Sequence, residues 1–350
     1  MMRKYLFFAA LVFLMTSTTS CAKRKSTVYG VGFYNLENLF DTTHDPGKSD
    51  YEFLPDGTNK WTEHKYNSKL KNMARVLSEM GTDVLPEEGC AVIGVSEVEN
   101  AHCLRDLCSQ PALKKRNFRY VHIEGPDRRG IDCALLYNPK LYKVRNVKLV
   151  PYVYELEADK EKATRGFLTV SGTLAGEHVT VVVCHWPSRG SDSSYREAAG
   201  RQVRAVKDSL LRDDPNVKVI IMGDLNDDPT NKSMTVGLGC KAEIEDVGPQ
   251  DMYNPRYNVL VKQRTGTLLY EGKWNLFDQI VMTPNLLSKG GQADQATLKF
   301  SKNEVFRRDY LFQQEGKYKG NLLRTHAGGS WLNGYSDHLP TIIYLVKGKR

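Results

Sequence analysis

The stretch that decides the reading is Val219-Ile220-Ile221-Met222-Gly223-Asp224-Leu225-Asn226-Asp227-Asp228-Pro229. Its apolar, β-branched start reads as a buried strand. The run stops at a glycine, and a carboxylate and a carboxamide two residues apart follow at once. A strand end is a rigid place to hold polar groups, and the loop beyond it often carries chemistry. Asp224 and Asn226 are close enough in sequence to reach one reacting centre if the turn directs both the same way. An ordinary Asp/Asn turn accounts for this segment alone equally well. The decision rests on how many other strand ends resemble it.

Working outward, several do. Val28–Tyr34 reads as a strand that runs into Asn35-Leu36-Glu37-Asn38, and Ala91–Ser96 as one that ends at Glu97-Val98-Glu99-Asn100. Phe167–Thr173 and Glu177–Cys184 alternate like two arms of a hairpin about Ala175-Gly176. Arg165 precedes the first arm, and His185-Trp186-Pro187-Ser188-Arg189 follows the second. Leu276–Met282 is a strand with Asp278 embedded. Tyr335-Ser336-Asp337-His338 leads into a last strand, Thr341–Val346.

Two helices separate these runs. Trp61–Met80 places Tyr66, Leu70, Met73, Leu77 and Met80 on one stripe, with Thr62 as cap and Gly81 as stop. Ser193–Leu211 does the same with Tyr195, Ala199, Val203, Val206 and Leu210. A further helix is expected over Cys103–Leu113, and strands over Phe118–Glu124, Ile131–Tyr137 and Val147–Val153. Asp132, inside one of these, needs a partner or an edge position; an ion pair with Arg129 is one reading and a substrate-side role the other. Asp41–Lys60 is a long loop of the kind that often serves function. Gln292–Gly320 gives no assignable pattern.

The chain has 350 residues, 41% apolar and 26% charged, which excludes a disordered or wholly membrane-spanning protein. Residues 1–20 read as an export signal, with Arg3 and Lys4 at the basic end and an apolar core from Tyr5 to Met15. Small residues then end at Cys21, which looks like the lipidated cysteine of a bacterial lipoprotein. Thr18 stands where such signals usually carry an aliphatic residue, and plain secretion is the alternative. Residues 21–27 form a tether and 28–350 one domain. Loss of Arg3 and Lys4 lowers the formal charge from +8 to +6, which suits a polyanionic substrate or simply solubility. The six cysteines after Cys21 have neither zinc-site nor disulfide-scaffold spacing; Cys133 and Cys184 sit in apolar runs as buried thiols.

The residue types at the strand ends narrow the chemistry. Asn35, Glu97 and Asp337 offer oxygen, which a hard cation such as magnesium prefers. His185 and His338 can donate to an anionic oxygen or move protons. Asp224 and Asp278 can orient a histidine or a water. Such a set suits hydrolysis of a phosphate ester, whose transition state needs charge stabilisation and an aligned water.

At this point the sequence resembles the endonuclease/exonuclease/phosphatase superfamily, which includes pancreatic-type deoxyribonuclease, exonuclease III and sphingomyelinases. The stretches that carry it are Phe33–Glu37, Ile93–Asn100, Cys184–Arg189, Met222–Asn226, Leu276–Ile280 and Ser336–His338, six motifs in the family's order across residues 28–346. The opening Asn-Leu-Glu-Asn-Leu-Phe and the His-Trp-Pro-Ser-Arg stretch look closest to a bacterial secreted nuclease-like branch. The resemblance implies an α+β fold, a four-layer α/β/β/α sandwich with two central mixed β-sheets. It implies Glu97 as principal metal ligand with Asn35 nearby, and Asp337 as a further ligand or water-mediated contact. His338 would stand at the scissile phosphate, paired with Asp278. Asp224 would orient or deprotonate the attacking water, Asn226 would hold a phosphate oxygen, and His185 would be the second histidine of the deoxyribonuclease type. Arg165 resembles a phosphate-contacting arginine. Arg189 reads either as a phosphate contact or as a solvated loop charge.

The expectation is therefore an exported phosphoesterase that uses Mg2+, with Mn2+ or Ca2+ as substitutes. It is a monomer held to the bacterial cell envelope by its lipid anchor, facing periplasm or exterior. Its first substrate is nucleic acid, DNA with RNA as a further one, whose phosphodiester bonds a nuclease hydrolyses by in-line attack of an activated water. A phosphatase or phosphodiesterase for a small or lipid ester is the alternative, because fold and catalytic residues do not choose between them.

Overall fold

Strand β1 (Ser26–Leu39) pairs parallel with β2 (Cys90–Val98), and helix α1 (Glu63–Glu79) makes the crossover between them. The same unit occurs again later in the chain. In the computed structural model, which describes residues 26–155, 157–289 and 296–348, each unit lies at the middle of a large mixed sheet. The predicted signal, Cys21 and most of the tether lie outside the described residues.

Helix α2 (Ala101–Ser109) and strands β3 (Arg119–His122) and β4 (Asp132–Tyr137) follow, and β4 pairs antiparallel with both β2 and β3. On the other side of β1 the sheet is completed by the C-terminal strand Thr341–Gly348 and then by Lys299–Val305. The second sheet begins with β5 (Tyr142–Val150), β6 (Phe167–Leu174) and β7 (Glu177–His185). Helix α3 (Ser193–Asp213) then crosses to β8 (Lys218–Asp224), which runs parallel to β7. Asp278–Met282 pairs antiparallel with β8, and two short strands, Met252–Tyr253 and Cys240–Lys241, close that side.

The period-two alternation of β8 explains the layering. Ile220 and Met222 face the first sheet and join Val31, Phe33, Leu135 and Val181 in the core between the sheets. Val219 and Ile221 face outward to Ala199 and Val203 of α3. On the opposite surface Tyr66, Leu70, Met73 and Leu77 of α1 cover Tyr34, Ile93 and Val95. The result is the expected four-layer sandwich. Among the described residues no helix is long and apolar enough to cross a membrane.

Some local expectations need correction. The Cys103–Leu113 helix ends at Ser109, and a 3-10 segment Pro111–Arg116 replaces its last turn, because Pro111 cannot continue an α-helix. Thr62 is at the N-cap of α1 but its side chain makes no capping bond. The Val147–Val153 strand is instead Tyr142–Val150. Asp132 pairs with His122 Nε2 at 3.0 Å, not with Arg129. The unassigned Gln292–Gly320 stretch contains the edge strand Lys299–Val305, whose exposed Ser301 and Lys302, at a register shift, hide its period. The Ala175-Gly176 hairpin is as read, with φ of +53° and +79° at its two turn residues. Six cysteines are free thiols, Cys133 and Cys184 buried among them.

Candidate active site

Parallel strands end together, and here two parallel pairs end at one rim. Asn35 and Glu97 project from the last stretches of pairing in β1 and β2, His185 closes β7 and Asp224 closes β8. Register fixes the second sheet's contribution: Asp224 is directly opposite His185 on one side and Asp278 on the other. Residues opposed in register share a face, so all three side chains project to the same side.

The first sheet reaches the rim by breaking its own regularity. Glu97 lies in a bulge between the Ser96 and Val98 pairings, at φ +61°. Glu37 and Asn38, in the irregular end of β1, also have positive φ, as does Asn226 just past β8. Such backbone costs roughly 1–3 kcal/mol per non-glycine residue and tends to collect at functional sites. In this conformation Glu97 Oε2 accepts from Asn38 N at 3.0 Å.

Around that carboxylate the polar groups converge. Asn35 Nδ2 donates to Glu97 Oε1 at 3.3 Å and to Asp224 Oδ2 at 3.0 Å. His185 Nε2 is 3.9 Å from Glu97 Oε1 and 3.7 Å from Asp224 Oδ2. His338 Nδ1 bonds Asp278 Oδ2 at 2.7 Å, and its Nε2 is 3.7 Å from Asp224 Oδ2 and 3.9 Å from Asp337 Oδ1. Ser336 stitches the C-terminal loop to β1, donating to Asn35 O at 2.8 Å and accepting from His338 N at 3.1 Å.

Burial sets the protonation states. Asp224 is pushed up to about 7 by burial and by the Asp278 and Glu97 charges, against the pull of His338. Burial opposes a charge on His338, but Asp278 and Asp224 outweigh it and hold this imidazole well above the usual histidine value. His185 is driven well below that value by burial, then by the Arg165, Arg129 and His338 charges. The two histidines are thus divided into a cation and a neutral ring.

Ligand atoms of Glu97, His185 and Asp224 lie within 4.8 Å of one another. Two carboxylates this close, with no lysine or arginine bonded to either among the described residues, fit a hard divalent cation. The Nδ1 of His185 is buried without a partner. Asn35 turns its amide nitrogen to both carboxylates, while its oxygen accepts from Glu37 N at 2.9 Å. Asp337, a quarter exposed, is held by Arg324 Nη2 at 2.8 Å.

The remaining predicted residues frame this centre. Asn226 N donates to Asp224 Oδ1 at 3.0 Å, and its Nδ2 donates to Trp186 O at 3.0 Å. Arg165 donates to Asp127 Oδ2 at 2.8 Å and to Trp186 O at 3.2 Å. Arg189 is turned to Asp228 at 2.9 Å and packs 4.4 Å from the centroid of the Phe277 ring. Arg129 donates to Asn38 Oδ1.

Three residues at the site escaped sequence reasoning. Glu37 is buried and takes bonds from Arg324 Nε at 2.8 Å and Thr325 N at 2.7 Å. Lys69 of α1 lies 3.8 Å from the same carboxylate. Lys69 fell on the apolar face of a predicted helix, the only signal available. Arg324 had none, since Glu37 is 287 positions away and nothing in the sequence marks Asp337 as its other partner.

The family model described as Endonuclease/Exonuclease/phosphatase family matches residues 30–347. A search of curated proteins gave no match. Among solved structures the chain is similar to an endonuclease/exonuclease/phosphatase family protein from Bacteroides thetaiotaomicron, with 14% identity, 93% of this chain and 96% of the other covered, and a TM-score of 0.55. It is similar also to a mannosyl-6-phosphatase of Bacteroides thetaiotaomicron VPI-5482 (14% identity, 91% and 99% covered, TM-score 0.54). A third is D. rerio TDP2 complexed with single strand DNA product (12% identity, 91% and 99% covered, TM-score 0.52). At these identities the likeness is one of fold.

Proposed function

Because the chain belongs to the endonuclease/exonuclease/phosphatase family of phosphoester hydrolases, we propose that it is a magnesium-dependent nuclease that cleaves phosphodiester bonds by in-line attack of water. The observation that carries the reading is the convergence of Glu97, Asp224 and the His338–Asp278 pair at one rim, with arginines beside it.

Glu97 would be the principal carboxylate on the cation, with Asp337 nearby, while Asn35, whose amide nitrogen donates to Glu97 and Asp224, would position those carboxylates. When bound, the cation supplies Lewis-acid stabilisation of charge on the phosphate oxygens. The chain's own residues do the rest. Asp278 fixes the His338 ring so that Nε2–H is turned toward the Asp224 and Asp337 carboxylates, where a charged imidazolium would donate to an anionic phosphate oxygen. Asp224, with Oδ1 bonded to Asn226 N, uses Oδ2 to orient the attacking water and take its proton. His185, a neutral ring, takes its place beside Glu97 without adding a cation. Arg129 and Arg165 supply positive potential for a polyanionic chain.

We also propose export and anchoring through Cys21, from the basic end, apolar core and small residues that precede it. The mass of the processed N-terminus and membrane fractionation test that part.

The activity is tested on purified protein with magnesium, supercoiled DNA, RNA and a panel of phosphate monoesters and diesters. Expected are nicks that vanish with EDTA and fall by roughly 10²–10⁴ in His338→Ala. Intact nucleic acid alongside turnover of a small or lipid ester would overturn the nuclease reading and leave the hydrolytic chemistry.

A further inference from the structure

Beside the catalytic rim, the chain from Gln313 to Leu332 closes a cleft of about 490 Å3. Its walls include Leu269, Tyr318, Asn321, Leu332, Arg324 and Asp337. The size is that of a small-molecule site. Asp337 and Arg324 belong both to this cleft and to the rim, so whatever fills it touches the reacting end.

Arg324 is built in rather than loosely exposed. Its Nε is bonded to Glu37 Oε1 and its Nη2 to Asp337 Oδ2, both at 2.8 Å. Glu37 is itself fixed by Thr325 N at 2.7 Å and lies 3.8 Å from buried Lys69. Lys69 is in turn bonded to Thr325 Oγ1 and Tyr335 O, each at 2.6 Å. A guanidinium gripped on two sides is preorganised to bind an anion with its remaining N–H groups. Further along the cleft the chemistry changes. Tyr318 is 55% exposed, and Asn321 is exposed as well. Neither side chain has a hydrogen-bond partner among the described residues. Leu269 and Leu332, both partly buried, give an apolar wall.

An anion-binding end, an apolar wall, an exposed aromatic ring with Lys317 Nζ over one face at 5.4 Å from the centroid, and a free amide suit a nucleobase on its phosphate. The base stacks on the ring, its edge pairs with the amide, and the phosphodiester meets the guanidinium. We propose that this cleft is the subsite for a nucleotide flanking the scissile phosphate, with Tyr318 as stacking platform, Asn321 as base-edge contact and Arg324 as the contact to its phosphate. This rests on the nuclease reading above and deepens it.

The test uses the full-length protein in EDTA, so that binding is read without turnover. The dinucleotide TpT and inorganic phosphate are titrated by calorimetry into wild type, Tyr318→Ala and Asn321→Ala, whose exposed positions leave the fold intact in a thermal melt. TpT binding should weaken roughly tenfold in Tyr318→Ala and severalfold in Asn321→Ala, while phosphate binding stays unchanged. Equal TpT affinity in all three proteins overturns the subsite, as does wild type binding TpT no better than phosphate. Tyr318-dependent TpT binding without cleavage of DNA or RNA under magnesium supports the subsite and overturns the nuclease reading. Cleavage of nucleic acid without that dependence keeps the nuclease and removes the subsite.

Discussion

Asp278 gives one oxygen to His338 and keeps the other buried without a partner. Its value lies in charge rather than shape, and Asp278→Asn separates the two. The amide preserves the volume and an acceptor for His338 Nδ1 but removes the charge that raises the imidazole. The activity should drop by roughly 10²–10⁴ with the fold retained. The sign in pH follows from the raised value. A charged His338 stabilises the fold below about pH 6.5, and that contribution is lost as pH rises through the higher native value. In Asp278→Asn the alkaline limb of the rate profile therefore moves to lower pH, which a kcat–pH series reads; an unmoved limb would take His338⁺ out of the reaction. Glu99 shows the opposite case. Burial first, then the Asp41, Asp45 and Asp50 charges, push its carboxyl up to about 8. An acid raised on folding binds its proton in the native state, so stability falls as pH climbs from about 4.5 to 8. Glu99→Gln should match wild type near pH 5 and melt at a progressively higher temperature than wild type toward pH 8.5. A constant gap in Tm across that range would show that Glu99 is charged throughout. Neither behaviour is written in the residue's neighbours in sequence: Asp278 lies 60 positions from His338, and Glu99 is a plain acid after a strand until the loop 41–50 folds over it.

The elements that place these residues were legible where period alone identifies them. β1, β2, β7 and β8 are apolar runs and α1 and α3 are apolar stripes; that β1 pairs parallel with β2 and β7 with β8 came only with the structure. The polar residues at their ends could be named because apolar runs stop abruptly there. The bulge at Glu97 was not legible, since nothing in a glutamate signals positive φ. Nor was the role of Gly200, which reads as a weak point in the middle of α3. A Cβ built there would meet Ser233 O at 2.3 Å. The glycine lets α3 lie directly on the π-helical turn Ser233–Leu238, which follows the loop after Asp224. Asp227 in that loop is tied to both elements, by Ser233 Oγ at 2.7 Å and by Arg196 Nε of α3 at 2.9 Å. Gly200→Ala gains helix propensity but overpacks this contact, and the overpacking should win by about 1–3 kcal/mol. Urea denaturation measures it. A stabilised protein would mean that the turn yields without strain.

At the scale of the molecule, two βαβ units lie back to back and present their strand ends at one rim. Asn35 and Asp224 are 189 positions apart in the chain, yet share a hydrogen bond of 3.0 Å. The site therefore exists only in the folded sandwich, and each of its parts has an ordinary local explanation until the two sheets meet. Substrate choice belongs to the same scale, because it depends on the summed field. The formal charge is +8, and Arg129, Arg165 and Arg324 stand around a centre of carboxylates. A cation held by those carboxylates would offset their charge and make the rim more positive, while Arg165 stays paired with Asp127 and Arg324 with Glu37 and Asp337. A polyanion bound there releases condensed counterions, so log kcat/KM on DNA should fall linearly with log salt, with a slope near −0.9 for each phosphate contacted. A diester too short to condense counterions should show a much shallower dependence. Bis(p-nitrophenyl) phosphate and a linear duplex, measured between about 50 and 200 mM salt at fixed magnesium, make the comparison. Replacing Arg324 with glutamine should reduce the slope on DNA by about one contact and leave the small diester's slope as it was. Equal slopes for the two substrates would mean that the arginines steady the loops and that the rim takes a single phosphate group.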